Sequence, residues 1–285
     1  MYDAASLSDG AVHQRAIGEL RVAVHARGEE TALRGLRQAG CLKARFPRPH
    51  APGWLDVVTL NTSGGVAAGD RLDLAFAAGG GTRATISAQA AERFYRALPG
   101  SLPARVRTRI DVAAGATAEW LPQETILFDG CAVDRALDVE LHPAGAFLGM
   151  ETLVFGRLAM GERVRAARLA ERVRIRRAGR LLLHDAIRLN GAVDAALARP
   201  AVANGARALA SLVHVAPGAE ARLDAVRDAL ASAAEADGVE AGASAWNGML
   251  LARILGAEAG PVRRAVTAVL AVLRQDRALP RVWLC

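Results

Sequence analysis

Seven carboxylates lie in or beside apolar segments of this chain, where a charged side chain needs either a partner or a function. They are Asp70, Glu119, Glu124, Glu140, Glu151, Glu162 and Glu171. The six histidines are scattered, and no C-x-x-C or H-x-H motif is present, so the usual ligands of a permanent metal site are scarce. Most of these carboxylates are expected to pair with arginines at the surface. The remainder favour weak, transient contacts with a divalent cation.

A glycine-rich stretch, residues 60–96, contains the sharpest local pattern. Gly64-Gly65 and a second glycine cluster at 79–81 bracket a short strand-like alternation, and Asp70 follows Gly69. The stretch lacks the P-loop lysine, and the residues after Asp70 alternate like a strand, so no helix N-terminus faces an anion. The sequence therefore predicts tight glycine turns around Asp70 and not a phosphate site.

Two enzymatic or binding alternatives stay open on the residues alone. Ser63 has no G-x-S-x-G context, which disfavours a serine nucleophile. A hydrolase using Glu119 and Glu124, or Asp70, as acid and base would need a deep pocket with two carboxylates of unequal pKa. A binding module for acidic polymers would exploit the net charge of +7 and would weaken steeply with salt.

The composition limits the class of protein. The chain has 285 residues, of which 52% are hydrophobic and only 4% aromatic, which allows a large core built from aliphatic side chains. Arginines and acidic residues are interspersed, which argues against nucleic-acid binding. The three cysteines are far apart, the first twenty residues lack a signal-peptide pattern, and no apolar run reaches membrane-spanning length. We expect a soluble, cytoplasmic protein that contacts no membrane.

The spacing of apolar residues predicts a mainly β body. Period-two alternation begins near Gly18, and a turn at 27–30 should lead into a returning strand over 31–37. Three prolines between residues 47 and 52 predict a loop. A strand end followed by small residues and a glycine recurs near residues 76–79, 112–116, 141–146 and 215–219. This recurrence favours stacked turns in a β-solenoid-like or large stacked-sheet body, with ordinary hairpins as the alternative.

The C-terminal part changes character. Helical spacing predicts helices over residues 219–236 and 261–275, the first ending at a Gly238 cap and the second starting with Pro261 in its first turn. Two strands are predicted between them, over 239–244 and 249–255. Residues 1–15 are expected to form a flexible leader, and residues 16–285 a single domain.

Five segments together resemble the family of urease accessory proteins called UreD or UreH. They are TSGGVAAGDRLDL (62–74), QAAERFYR (89–96), WLPQETILFDG (120–130), FGRLAMGE (155–162) and LPRVW (279–283). They occur in the family's order and span most of the chain. The resemblance implies a non-catalytic scaffold that joins UreF, and through it the GTPase UreG, to apo-urease.

The resemblance also implies a role in nickel delivery. Family members are thought to carry nickel through an internal polar tunnel, with no permanently bound cofactor and only transient contact with Ni²⁺. Asp70 and Glu162 occupy motif positions of the kind implicated in that passage. Our hypothesis adds Glu140 and Glu151 as further residues lining the passage.

Overall fold

Two β-sheets and a pair of helices make up three layers in the computed structural model, which describes residues 14–157, 160–275 and 277–284. Residues 1–13 of the predicted leader lie outside this range. The strands of the first half are β1 (Ile17–Arg27), β2 (Glu30–Gly40), β3 (Leu42–Arg45), β4 (Trp54–Asn61), β5 (Arg71–Ala78), β6 (Arg83–Ala88), β7 (Glu92–Phe94), β8 (Ala104–Val112) and β9 (Thr117–Leu121). Those of the second half are β10 (Thr125–Leu127), β11 (Ala132–Leu141), β12 (Ala146–Phe155), β13 (Ala166–Arg177), β14 (Arg180–Ala192), β15 (Ala208–Val215), β16 (Glu240–Trp246) and β17 (Met249–Gly256). The helices are α1 (Val193–Leu197), α2 (Leu223–Asp237) and α3 (Ala259–Arg274).

The two sheets differ in position and size. The outer sheet has seven strands in the order β14-β13-β11-β8-β5-β1-β2. The central sheet has ten strands: β16-β17-β15-β12-β9-β6-β4-β3 in order, with the short β7 and β10 attached beside β12. The interior strands of both sheets run parallel, and antiparallel pairs close the edges. The prediction of a mainly β protein is therefore confirmed.

The recurring glycine turns carry the chain from the outer sheet to the central sheet. Each of β5, β8 and β11 lies in the outer sheet, and the next strand in the chain lies in the central sheet. The turns stack on one another: the N–H of Gly81 donates to the carbonyl of Ala114 at 3.0 Å, and the N–H of Gly115 donates to that of Ala144 at 3.0 Å. The hairpin alternative is wrong at these three turns, because the strands on either side do not pair with each other.

Period-two alternation explains how the sheets pack. In β5, Leu72, Leu74 and Phe76 are buried while Arg71 and Asp73 are exposed. The buried rows of both sheets form one core between them. The opposite face of the central sheet packs on α2 and α3 and forms a second core.

The C-terminal helices match their predictions closely. α2 follows a short 3₁₀ turn and ends at Gly238, whose φ of 64° places it in the left-handed region that glycine tolerates. α3 carries Pro261 in its first turn. β16 and β17 confirm the two predicted strands, whereas α1 was not predicted. No helix in the described ranges is long and apolar enough to cross a membrane.

Candidate functional site

A cavity of about 350 Å³ lies between the two sheets. Its wall includes Gly64 and Gly65 from the glycine motif, Gln89–Phe94 from the second motif, and Trp120 and Gln123 from the third. Segments far apart in the sequence therefore meet at one interior space. This convergence makes the cavity the candidate functional site.

A buried arginine joins two carboxylates in this cavity. Arg135 Nη2 lies 2.9 Å from Glu171 Oε2 and 3.0 Å from Glu151 Oε2. Its Nη1 donates to Thr125 Oγ1 at 2.7 Å, and Trp120 Nε1 donates to the other oxygen of Glu151 at 2.9 Å. The side chains of Arg135, Glu151 and Glu171 are only 13%, 11% and 6% exposed.

Strand alternation places these three charges inside the molecule. Arg135 shares the inward row of β11 with buried Val133 and Leu137, and its neighbour on β13 is Glu171. Glu151 occupies the inward row of β12, in the opposite sheet. Side chains from the two sheets thus place one cation and two carboxylates in the same cavity.

A third carboxylate, Glu92, lines the same cavity and accepts a hydrogen bond from Asn61 Nδ2 at 3.1 Å. Burial raises the pKa of Glu92, against the hydrogen bond from Asn61. Burial also raises the pKa of Glu151, which Arg135 opposes and the neighbouring charge of Glu171 reinforces. Burial thus disfavours the charged form of both carboxylates, and a cation that entered the cavity would favour it.

The mouth of the cavity needs glycine at one position. Gly65 has a φ of 142°, and a Cβ there would lie 2.4 Å from the ring of Tyr95. Tyr95 donates its hydroxyl to the carbonyl of Gly64 at 2.6 Å. The glycine motif thus shapes the cavity's rim, in agreement with the predicted turn.

Asp70 is buried, but its carboxylate serves the backbone. Oδ1 accepts the N–H of Ala16 at 2.8 Å, and Oδ2 accepts the N–H of Ala67 at 2.7 Å. It is absent from the lining of the large cavity. Both oxygens hold the turn before β5, and a contact of Asp70 with nickel stays a prediction.

The other predicted residues lie apart from one another. Glu140 faces outward on β11 and lies 3.3 Å from Arg176. Glu162 lies in the loop after β12 and pairs with Arg157 at 2.7 Å. Of the four residues predicted to line a passage, only Glu151 lines the large cavity.

A second buried ionic cluster lies on the helix-facing side of the central sheet. Glu119 is 2% exposed; it contacts Arg277 and accepts hydrogen bonds from Thr85 at 2.7 Å and from Arg274 at 3.2 Å. Burial opposes ionisation of Glu119, but the two arginines hold its pKa below the usual range. Arg274 also lies 2.8 Å from Nε2 of His50.

The tautomer of His50 follows from its neighbours. A guanidinium only donates, so Nε2 must accept from Arg274 and the proton must sit on Nδ1. Nδ1 lies 2.6 Å from Asp56. This cluster ties the proline-containing loop to the end of α3.

The carboxylates considered for hydrolysis do not share one pocket. Glu119 is held by its arginines, Asp70 by backbone N–H groups, and Glu124 by Arg263 at 2.7 Å. Within the described ranges, no three His, Cys, Asp or Glu side chains are grouped to hold a metal ion. The cavity can thus contact a cation through carboxylates without the ligand set of a permanent site.

Comparison with known proteins defines the class of protein. A family model described as the UreD urease accessory protein matches residues 16–284. A urease accessory protein UreD from Xanthobacter autotrophicus is 45% identical over 98% of this chain and 93% of its own length. UreD proteins from a Methylobacterium species and from Rhodopseudomonas palustris are 46% and 44% identical, over 90% and 95% of this chain and 90% and 94% of their own lengths. The chain belongs to the UreD family of urease accessory proteins.

Proposed function

We propose that this protein is a non-catalytic cytoplasmic scaffold that joins UreF, and through it UreG, to apo-urease, and that nickel passes through its interior cavity. The family assignment supports a role in urease maturation. The alternation of strands between two sheets supports a rigid, β-solenoid-like body. A rigid body suits a scaffold because its partner faces keep a fixed separation.

The main support for the nickel route is the charge of the side chains that line the cavity. Three carboxylates, Glu92, Glu151 and Glu171, line the cavity together with the nearly buried cation Arg135, and exposed Arg93 lies beside Glu92 at its edge. Arg172 also borders the cavity, but its guanidinium pairs with Asp134 on the outer face at 3.1 Å. Carboxylates in a poorly solvated space attract a divalent cation. Among the described residues, imidazole and thiolate ligands are not grouped with these carboxylates, so the cation can leave again.

Replacing one cavity carboxylate tests this route. Glu151→Gln should lower urease activation at limiting nickel by about tenfold, because it removes a cavity charge and leaves its shape nearly unchanged. The assay is urease activity and nickel content after maturation with the complete set of accessory proteins. Higher nickel concentrations should partly restore activation.

A matched control separates the cavity from the surface. Glu19→Gln makes the same change on the exposed face, where Glu19 pairs with Arg21 and Arg37, and should leave activation unchanged. Co-purification with UreF and apo-urease must be equal for both variants. Normal activation by Glu151→Gln at limiting nickel would contradict the proposed route.

A further inference from the structure

Arg135, Glu151 and Glu171 lie where two interior voids meet. All three line the large cavity, and the two carboxylates also line a second void of about 30 Å³. The second void extends towards β14 of the outer sheet and β15 of the central sheet, where Asp185 and Ser211 border it. The ionic group thus forms a partition between the two voids.

The guanidinium of Arg135 occupies the place of a cation at this partition. Its Nη2 lies within 3.0 Å of one oxygen from each carboxylate, so those two oxygens converge on a single positively charged group. Thr125 fixes the other end of the guanidinium at 2.7 Å. A cation that reaches the two carboxylates must replace these contacts.

Resting on the proposed nickel route, we propose that Arg135 is a built-in counter-ion that closes the route at this partition. A divalent cation crosses only when it displaces the guanidinium from between Glu151 and Glu171. The arginine then returns to the carboxylates and releases the cation on the other side. No covalent bond changes, and the charge at the partition is the same before and after the transfer.

The electrostatics favour an exchange over permanent binding. Without Arg135, two buried carboxylates would face each other unpaired, which is unfavourable until a cation arrives. Arg135 supplies one positive charge against the two carboxylates Glu151 and Glu171, so the group still attracts a cation with Arg135 present. The guanidinium thus lowers cation affinity without abolishing the attraction.

Removing the counter-ion should make the two carboxylates hold nickel instead of releasing it. Arg135→Gln in the full-length protein should bind one Ni²⁺ about tenfold more tightly than the wild type at neutral pH, because both carboxylates lose their competitor. Isothermal titration with nickel sulfate measures this directly. The further change Glu151→Gln in the same variant should abolish the gain.

Arg107→Gln is the matched control. Arg107 pairs with Asp134 on the outer face at 2.5 Å, so the nickel affinity of this variant should equal that of the wild type.

If Arg135→Gln does not fold, Arg135→Lys is measured in its place. An ammonium group lacks the planar fork that reaches Thr125 and both carboxylates together, so nickel affinity should rise about threefold. Unchanged affinity in the variant that folds overturns the proposal.

Failure of this proposal can be distinguished from failure of the proposed function. Tighter nickel binding by Arg135→Gln, together with normal urease activation by Glu151→Gln, would keep the counter-ion and remove the nickel route. Unchanged nickel binding together with impaired activation by Glu151→Gln would keep the route and remove the counter-ion.

Discussion

At the scale of single residues, the role of a buried carboxylate depends on which groups donate hydrogen bonds to its oxygens. Asp70 has one backbone N–H on each oxygen, whereas Glu151 shares Arg135 with Glu171. The first arrangement fixes the chain before β5. The second leaves a charge that can exchange its partner.

Asp70→Asn should destabilise the fold. The amide nitrogen would face a backbone N–H and leave a buried donor unpaired, at a cost of about 1 to 3 kcal/mol. Urea denaturation measures the loss, and Asp73→Asn on the exposed face of β5 is the control. An Asp70→Asn protein of unchanged stability that fails to deliver nickel would assign the carboxylate to the passage instead.

At the scale of elements, the Glu119 cluster fastens two segments without regular structure to the central sheet. Arg277 belongs to the segment after α3, and its guanidinium also lies 3.6 Å from the centre of the Trp54 ring. His50 belongs to the loop before β4. Glu119 thus holds both surface segments in place through the arginines with which it pairs.

Glu119→Gln should loosen both segments. Arg274, whose side chain is fully buried, would lose its charged partner, and breaking a buried pair costs about 3 to 5 kcal/mol. Hydrogen exchange should speed up in residues 46–53 and 277–284 more than in β5. Unchanged protection of both segments would show that Glu119 does not fasten them.

The sequence predicts elements better than it predicts their partners. Alternation identifies β16 and β17 to within two residues, because one face of each strand packs on a core. Alternation does not tell which sheet a strand joins, since the parallel pairing of β1 with β5 depends on contacts far apart in the chain. This is why the turns near 76–79, 112–116 and 141–146 allowed hairpins as an alternative.

Strand alternation also explains which features of the site could be predicted from the sequence. Arg135 stands between Val133 and Leu137 in the buried row of its strand, and this pattern marks it as an interior charge. Glu140 alternates with Val139 and Leu141 and therefore faces outward. The meeting of Arg135 with Glu151 could not be predicted, because it depends on how two different sheets stack.

At the scale of the whole molecule, the outer sheet and the central sheet enclose the large cavity, whose walls come from separate motifs. Thr108 of β8 is buried and lines this cavity. A larger side chain at this position fills space while leaving every charge in place. Such a change separates the volume of the route from its electrostatics.

The most direct test measures nickel in urease matured with the Thr108→Phe variant. The account predicts about a tenfold loss of nickel content and activity at limiting nickel, with co-purification of UreF and apo-urease unchanged. Thr108→Val removes the hydroxyl, keeps the cavity open and should mature urease normally. Full nickel loading by a folded, partner-bound Thr108→Phe protein would contradict passage through this cavity.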